Sequence, residues 1–481
     1  MSDWRSAQTR QAELAEQRRA TLRHELSRRM ERPQRHRLLQ GYPMAPVLLP
    51  AAAGFAPLSN ELIDDTRPLL IGVLPHAACN PRVRGCGFCT FPHEPFDNDR
   101  VRQVVRAVAE EVTRTATQRP GLLSRRVGAV YFGGGTANLT PPAEFQRLAD
   151  ILEATFDLSG CEVSLEGVPR YFEIHDGALL DTLSGMEVRH RRLSLGVQTF
   201  DRAWLARMGR DAFGDVDCVQ RVVDGAHGRG MTVSADLLFN LPGRSLEGSL
   251  EDVRLARDLG FDQICLYNLV LSVDVDTEWA DDEELIGGMR GNDSACEMWL
   301  ALRDELLASG FVQTTLTNFE HREVPEPRRF SYGSYGLDPR TWDMLGFGPS
   351  AISTLLVPAV HGGLKWMNPD TSADYLAAMR ERPHPIARFF EYTPEDLELL
   401  ILTRHLARLS IQTSDLEPAY AAQARVLEEA GLLHRPDPGR VAPTPRGMYF
   451  ADSIAGLLAW PRVAELRRHL EQGTDYRYHM G

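Results

Sequence analysis

Short apolar runs alternate with longer amphipathic segments from about residue 68 onward. The first pair is LLIGVL (69–74), a run of strand length, and 99–116, where apolar residues recur at helical spacing. Further runs of strand length, with helical segments between them, lie at 127–132, 161–167, 191–197, 231–239 and 263–271. This alternation predicts parallel β/α units whose sheet is covered by helices.

About six such units are visible, fewer than the eight of a closed barrel. The pattern therefore predicts an open, partial (β/α)6 barrel in an α/β protein, with a doubly wound sheet as the alternative. We expect a basic helical segment at 1–45, the barrel and an extension at 46–385, a small C-terminal domain at 386–465 and a tail at 466–481.

Composition indicates a globular protein: the chain has 481 residues, 43% of them apolar, and a formal charge of −13. We find no apolar run of about 18 residues and no signal-peptide pattern, so we expect a soluble, cytoplasmic protein with no membrane partner. Residues 1–40 contain ten arginines and five acidic residues, interspersed at helical spacing. This favours an exposed helix over an arm that binds nucleic acid, which we do not expect as a partner.

Three cysteines fall within eleven residues, in CNPRVRGCGFC (79–89). Cys79, Cys86 and Cys89 suit a metal centre with one open ligand position, whereas a structural zinc site uses four closed ligands. The alternative is a zinc knuckle completed by His76 or His93. The four scattered cysteines are expected to be small buried residues rather than disulfide partners: Cys161, Cys218, Cys265 and Cys296.

Polar and glycine residues repeatedly follow the predicted strands. Gly133 to Thr136 (GGGT) closes the second strand, Glu166 ends the third, Gln198 follows the fourth and Asp236 lies in the fifth. A tight turn or a helix cap would explain each one alone. Because the carboxyl ends of parallel strands meet at one edge of a sheet, their shared location predicts a ligand site there.

Taken in order, several motifs resemble the radical S-adenosylmethionine enzymes of the oxygen-independent coproporphyrinogen III oxidase (HemN-like) family. They are the three-cysteine loop, YFGGGT, LSLGVQTFDRAWLARMGR, DLLFNLPG and NFEH followed by LGFGPSA. The resemblance covers residues from about 68 to 460. It implies that residues 386–465 form the family's winged-helix-like domain, which would cover the mouth of the active site.

The resemblance also implies a set of cofactors and the residues that hold them. Cys79, Cys86 and Cys89 would ligate a [4Fe-4S] cluster whose free iron binds S-adenosylmethionine, and a second S-adenosylmethionine could serve as carbon donor. An electron donor such as flavodoxin or ferredoxin would reduce the cluster, so that a 5′-deoxyadenosyl radical is formed. The implied cofactor contacts are Phe88, Gly133, Gly134, Gly135, Thr136, Glu166, Gln198, Arg210, Asp236 and Gly348. His76 is the candidate for a catalytic family histidine, with a loop histidine facing solvent as the alternative.

Two departures from the family bear on the reaction. Six residues, 80–85, separate the first two cysteines where most members have three, and GVLPHAA replaces the stretch that carries a cofactor-binding tyrosine. We therefore expect modification of a small-molecule substrate, such as C-methylation or cyclopropanation, ahead of coproporphyrinogen III decarboxylation. A haem-binding chaperone is the third hypothesis, with His190, His321 and His361 as candidate axial ligands.

Overall fold

The computed structural model describes residues 2–35, 41–61, 63–79, 86–271, 277–357 and 361–473. Within these ranges the strands, numbered along the chain, are β1 (Leu49–Pro50), β2 (Leu69–Val73), β3 (Ala78–Cys79), β4 (Glu94–Pro95), β5 (Val127–Phe132), β6 (Glu162–Gly167), β7 (His190–Gln198), β8 (Thr232–Phe239), β9 (Gln263–Asn268), β10 (Phe311–Gln313), β11 (Asn318–His321), β12 (Asp343–Phe347), β13 (Ile352–Val357), β14 (Gly362–Met367), β15 (Arg388–Tyr392), β16 (Ile411–Gln412), β17 (Leu433–Asp437) and β18 (Arg440–Pro443).

Six parallel strands form the centre of one large sheet. In this sheet β2, β5, β6, β7, β8 and β9 are successive neighbours, and each pairs in parallel with the next. Both faces of these strands are covered. Their sequences are therefore continuous apolar runs, in which apolar residues do not alternate with polar ones. These are the six strands that the sequence predicts, so the α/β partial-barrel prediction is confirmed.

Helices connect the parallel strands and cover the outside of the sheet. Within the described ranges the α-helices are Ser2–Met30, Asn98–Gln118, Pro142–Thr155, Pro169–Glu173, Ala178–Gly185, Arg202–Arg207, Val216–His227, Leu246–Asp258, Glu283–Gly287, Asn292–Ala308, Ser331–Gly336, Ser372–Glu381, Pro394–Ala407, Thr413–Leu416, Ala421–Glu429, Pro445–Tyr449 and Ala451–Gly473. Asp97 caps the second of these, accepting a hydrogen bond from the Arg100 amide at 2.7 Å. None of the described helices is long and apolar enough to span a membrane.

The sheet continues beyond the barrel on both edges. β12 pairs in parallel with β2, and β13, β14, β15 and β1 follow it with antiparallel pairing. On the other edge β11 and β10 add antiparallel strands. Since β15 (Arg388–Tyr392) belongs to this sheet, the sheet extends past residue 385, where the sequence places the start of the C-terminal domain.

A second, three-stranded sheet in the order β16, β18, β17 forms the core of a small C-terminal domain together with short helices. This arrangement is winged-helix-like. The N-terminal helix packs onto this end of the molecule by its second half, where Leu22 and Leu26 are buried and the helix meets Ala451–Gly473. Residues 13–18 of the same helix are exposed, which agrees with the solvated character expected for them from the sequence.

A buried ion-pair network joins the amino ends of β2, β5 and β12. Asp343 accepts hydrogen bonds from Arg67 Nε at 2.9 Å, from the Leu356 amide at 3.1 Å and from the Arg125 guanidinium. The side chains of Arg125 and Asp343 are fully buried. The carboxylate therefore neutralises two cations at the point where the extension joins the barrel.

We expect Asp343→Ala to destabilise the protein by about 3–5 kcal/mol, because it leaves Arg67 and Arg125 buried without a counterion. Thermal unfolding followed by circular dichroism measures the loss. Asp258→Ala is the matched control, since it removes an exposed aspartate paired with Arg257 at 2.7 Å and should leave the melting temperature unchanged. Equal melting temperatures for the two variants would contradict the expectation.

Candidate active site

The three clustered cysteines border one cavity of about 220 Å³ at the carboxyl ends of the parallel strands. Thr136 Oγ1 donates a hydrogen bond to Cys79 Sγ at 3.4 Å, and Arg210 Nη1 donates to Cys86 Sγ at 3.1 Å. Burial raises the pKa of Cys79 to about 11 and raises that of Cys89 as well. Residues 80–85, between the first two cysteines, lie outside the described residues.

Trp279 fixes the second half of the cysteine loop. The Trp279 amide donates to the Gly87 carbonyl at 2.9 Å, and the indole contacts the Phe88 ring with centroids 5.7 Å apart. Gly87 has a φ of +75°, and a Cβ there would lie 2.0 Å from Trp279 Nε1. Only glycine therefore fits at this position, where the backbone has to pass over the indole.

The GGGT loop packs directly against the strand that carries Cys79. The Thr136 amide donates to the Ala78 carbonyl at 3.0 Å. A Cβ on Gly135 would lie 2.7 Å from the carbonyl oxygens of both Ala77 and Ala78, and one on Gly133 would lie 3.1 Å from Glu166 Oε2. The glycines thus allow the backbone to approach both the cysteine segment and the carboxylate.

We expect Gly135→Ala to displace Cys79, because the added methyl group meets two backbone oxygens that cannot rotate away. The displacement should cost about 1–3 kcal/mol in stability and should lower the iron bound after reconstitution. Gly160→Ala is the control, since a Cβ at Gly160 has no atom within 4 Å. Iron content and melting temperature measure both effects, and normal iron loading of Gly135→Ala would show that the close packing is unimportant.

Two buried carboxyl groups lie beside this cavity. Glu166 lines it, and Tyr131 Oη donates to Glu166 Oε2 at 3.0 Å. Asp236 accepts from Ser194 Oγ at 3.2 Å and is not among the side chains that border the cavity of the thiols. Burial, reinforced by the charge of Asp236, raises the pKa of Glu166 to about 7, and burial raises that of Asp236 too.

Arg210 and Gln198 present polar groups to the cavity from the region after β7. Arg210 donates to the Gly196 carbonyl, and its Nε is buried without a hydrogen-bond partner among the described residues. Gln198 has a φ of 70°, unusual for a residue other than glycine. Its side-chain amide makes no hydrogen bond within the described part of the chain. Both residues retain donors for a bound group.

Four predicted site residues do not border this cavity: Asp236 and Gly133, which lie beside Glu166 or its neighbours, and His76 and Gly348. His76 is buried, its Nδ1 accepts from the Ala78 amide at 3.2 Å, and burial lowers its pKa to about 4. The alternative of a solvent-facing loop histidine is therefore wrong. Gly348 does not border the cavity: its amide donates to Glu111 Oε2 at 2.8 Å, and a Cβ there would lie 2.0 Å from the Leu74 carbonyl oxygen. Its glycine character reflects close backbone packing at the end of β12.

No local sequence pattern marks Trp279 or Tyr131 as part of the site. Tyr131 belongs to an apolar run typical of a buried strand, and its hydroxyl contact with Glu166 becomes visible only in the folded sheet. His190, a candidate haem ligand, is also buried, with its Nε2 at 2.8 Å from Thr232 Oγ1. This contact occupies the ring nitrogen that an axial ligand would need.

The cavity fits a group larger than one metal ion. Within the described ranges no three cysteine, histidine or acidic side chains lie close enough together to hold a single ion. Of the two histidines in the zinc-knuckle alternative, His93 borders the cavity of the thiols and His76 does not. Three soft thiol ligands, a glycine cradle and the unpaired donors of Arg210 and Gln198 instead fit an iron–sulfur cluster beside a polar organic molecule.

Comparison with known proteins finds relatives that are named for three different activities. No family model matches the chain. It is 30% identical to anaerobilin synthase of Escherichia coli O157:H7 over 187 residues. This aligned stretch covers 38% of this chain and 40% of that protein. It is 27% identical over 361 residues to the oxygen-independent coproporphyrinogen III oxidase of Cereibacter sphaeroides, and the alignment covers 72% of this chain and 75% of that protein. The heme chaperone HemW of Bacillus subtilis is 23% identical over 394 residues, and the alignment covers 77% of this chain and 95% of that protein.

A solved structure shares the fold. Coproporphyrinogen III oxidase (HemN) from Escherichia coli, described as a radical SAM enzyme, superposes with a TM-score of 0.71 at 20% identity and covers 87% of this chain and 96% of its own. The chain is thus similar in sequence to HemN-like proteins over most of its length and shares the fold of HemN.

Proposed function

We propose that the protein is a radical S-adenosylmethionine enzyme that modifies a small molecule. One observation carries the proposal: the three thiols share a cavity with residues 134–136 of the glycine loop and with the side chains of Glu166, Gln198 and Arg210. When bound, a [4Fe-4S] cluster and S-adenosylmethionine would supply one-electron cleavage of the sulfonium and a 5′-deoxyadenosyl radical. Cys79, Cys86 and Cys89 would hold the cluster.

The remaining residues of the cavity supply binding and orientation. Arg210 is the cation suited to a carboxylate, and Glu166 is the acceptor suited to an ammonium group. Thr136 donates to Cys79 Sγ, and Arg210 donates to Cys86 Sγ, so two of the thiol ligands are oriented before any group binds. Phe88 lines the cavity, and Trp279 packs against its ring with centroids 5.7 Å apart.

For the reaction itself we propose C-methylation or cyclopropanation, with a second S-adenosylmethionine as carbon donor. The longer spacing between the first two cysteines and the missing tyrosine before Cys79 support a reaction other than porphyrinogen decarboxylation. Decarboxylation of coproporphyrinogen III remains the alternative, because a relative over 72% of the chain is named for it. The same proposal includes a flavodoxin or ferredoxin of the cytoplasm as the electron donor that reduces the cluster.

Anaerobic reconstitution, reduction and chromatography of the nucleosides test these proposals together. Formation of 5′-deoxyadenosine is the expected result with or without coproporphyrinogen III. Accumulation of S-adenosylhomocysteine in addition would support transfer of a one-carbon unit. Stimulation by coproporphyrinogen III with release of carbon dioxide would support the decarboxylase alternative instead.

The control is the same protein reconstituted without reductant, which should form neither nucleoside. A fully iron-loaded protein that forms no 5′-deoxyadenosine with any reductant would overturn the proposed enzyme activity. In that case binding of haem would be the next property to measure, since one relative over most of the chain is a heme chaperone.

A further inference from the structure

The short helix Ser331–Gly336 packs against the amino ends of two barrel strands. The buried carboxylate of Glu162, the first residue of β6, accepts hydrogen bonds from the Ser331 amide at 2.8 Å and from the Tyr332 amide at 3.5 Å. Arg189, the residue before β7, donates to Ser331 Oγ at 2.9 Å. The start of the helix is therefore held by β6 and by the segment that leads into β7.

Two aromatic contacts hold the chain on either side of this helix start. The buried Arg192 guanidinium of β7 lies 3.8 Å from the centroid of the Phe330 ring, which precedes the helix. Tyr335, near the end of the helix, is stacked on Trp342 with centroids 4.3 Å apart. A cation over a ring and a stacked pair of rings each stabilise the packing. The helix is thus fixed at both ends.

Tyr332 carries this support to the strand beside the cofactor cavity. Its ring is stacked on the Tyr131 ring of β5 with centroids 4.9 Å apart. Tyr131 also lies against the start of the GGGT loop, since a Cβ on Gly133 would be 2.7 Å from Tyr131 Cε1. The position of the Tyr131 ring is therefore set by the helix and by the loop together.

Tyr131 in turn holds one oxygen of Glu166. Its hydroxyl donates to Glu166 Oε2 at 3.0 Å, whereas Oε1 accepts no hydrogen bond within the described part of the chain. Burial raises the pKa of Glu166 to about 7, and the bond from Tyr131 opposes this rise because it stabilises the carboxylate form. One oxygen is thus fixed, and the other is left for a bound group.

We propose that Tyr131 is a positioning residue, which orients the Glu166 carboxylate toward the amino group of S-adenosylmethionine and is itself held in place by Tyr332. The inference rests on the proposed function, in which Glu166 is the acceptor for that group. Tyr131 does not border the cavity, so it acts through Glu166 and not by contact with the cofactor. A carboxylate that is fixed in advance loses less conformational freedom on binding, which increases affinity.

Tyr131→Phe tests the hydroxyl, because it removes the donor and keeps the ring. We expect equilibrium binding of S-adenosylmethionine to the reconstituted protein to weaken by about 3- to 10-fold, the range of a typical hydrogen bond. Iron content should match the wild type, since Thr136 and Arg210 still donate to the thiols. An affinity equal to that of the wild type would overturn the proposal.

Tyr42→Phe is the matched control for this substitution. Tyr42 is buried, and its hydroxyl donates to Asp396 Oδ1 at 2.8 Å, so the variant also loses a bond from a tyrosine to a carboxylate. Neither residue borders the cavity. The control should bind S-adenosylmethionine as the wild type does, and a loss of affinity equal to that of Tyr131→Phe would overturn the specific role of Tyr131.

A combination with Glu166→Ala shows whether Tyr131 acts through this carboxylate. In the Glu166→Ala background, Tyr131→Phe should cause no further loss of affinity, because the group that it orients is already absent. A residue that only supports the fold would weaken binding equally in both backgrounds. Equal losses would therefore overturn the positioning role.

Two substitutions of Tyr332 test the support from the helix. Tyr332→Leu removes the stacked ring and should weaken binding by about 2- to 5-fold. Tyr332→Phe keeps the ring and loses only a hydroxyl that lies 3.9 Å from Met344 Sδ, so it should restore the wild-type affinity. Equal affinities of the two variants would overturn the supporting role of Tyr332.

This inference and the proposed function can fail independently. The binding measurement needs no reductant, so its outcome does not depend on radical chemistry. Formation of 5′-deoxyadenosine by a protein whose affinity is unchanged in Tyr131→Phe would leave the proposed function intact and remove Tyr131 from the site. Weaker binding by Tyr131→Phe in a protein that forms no 5′-deoxyadenosine would keep the positioning role and overturn the enzyme activity.

Discussion

Cys86→Ala should reduce the formation of 5′-deoxyadenosine by at least about 100-fold, because it removes one of three thiol ligands that no other side chain replaces. It should also release Arg210 from its 3.1 Å contact with the sulfur. Cys86 is only partly buried and follows the loop rather than a core strand. We therefore expect the circular dichroism spectrum and the melting temperature of the unreconstituted variant to match the wild type.

Cys296→Ala is the matched control for this experiment. Cys296 is a buried thiol in the helix Asn292–Ala308 and does not border the cavity. Its loss should leave the iron content and the nucleoside product at wild-type levels. Equal activity of Cys86→Ala and Cys296→Ala would remove the cysteine loop from the reaction and with it the basis of the proposed function.

Glu166→Gln should weaken the binding of S-adenosylmethionine by about 10- to 100-fold, the range that follows from losing a hydrogen bond to a charged group. The physical reason is that a neutral amide accepts an ammonium group less strongly than a carboxylate does. Equilibrium binding to the reconstituted protein measures the change. Glu251→Gln, at an exposed position on the helix Leu246–Asp258, is the control and should bind as the wild type does.

The same substitution should remove a pH dependence. Burial raises the pKa of Glu166 to about 7, so the wild type carries the carboxylate mainly above that pH and should bind the ammonium group more tightly at pH 8 than at pH 6. The variant should bind equally at both. In the empty protein the sign is opposite: the stability contribution of Glu166 is fully present below its ordinary pKa of 4.5 and is lost as the pH rises through about 7. A wild-type affinity that does not change with pH would contradict the assignment.

Local patterns predicted the barrel well because its strands are distinguished by composition. The runs at 127–132 and 231–239 differ from the observed β5 and β8 by no more than one residue, since an apolar run bounded by polar turns has little freedom in its length. Cys79, Glu166, Gln198 and Arg210 could be found from motif order. Their meeting at one cavity follows from the parallel arrangement of the strands.

What the sequence missed are contacts between residues far apart in the chain. Trp279 beside Gly87 and Tyr131 beside Glu166 have no local signature, because each contact depends on how two distant elements pack. Gly348 was misplaced for the converse reason: its motif indicates a turn, and only the folded sheet shows that the turn faces Glu111 and Leu74 rather than the cavity.

The attachment of the cysteine loop at its two ends also bears on the longer spacing between its first two cysteines. One end is held by Thr136 on Ala78, and the other by Trp279 on Gly87, both outside residues 80–85. Lengthening a tethered loop costs little, because the entropy of closure grows only with the logarithm of its length. Insertions between the first two cysteines can therefore arise without moving the thiols, so the longer spacing is compatible with a cluster held by all three cysteines.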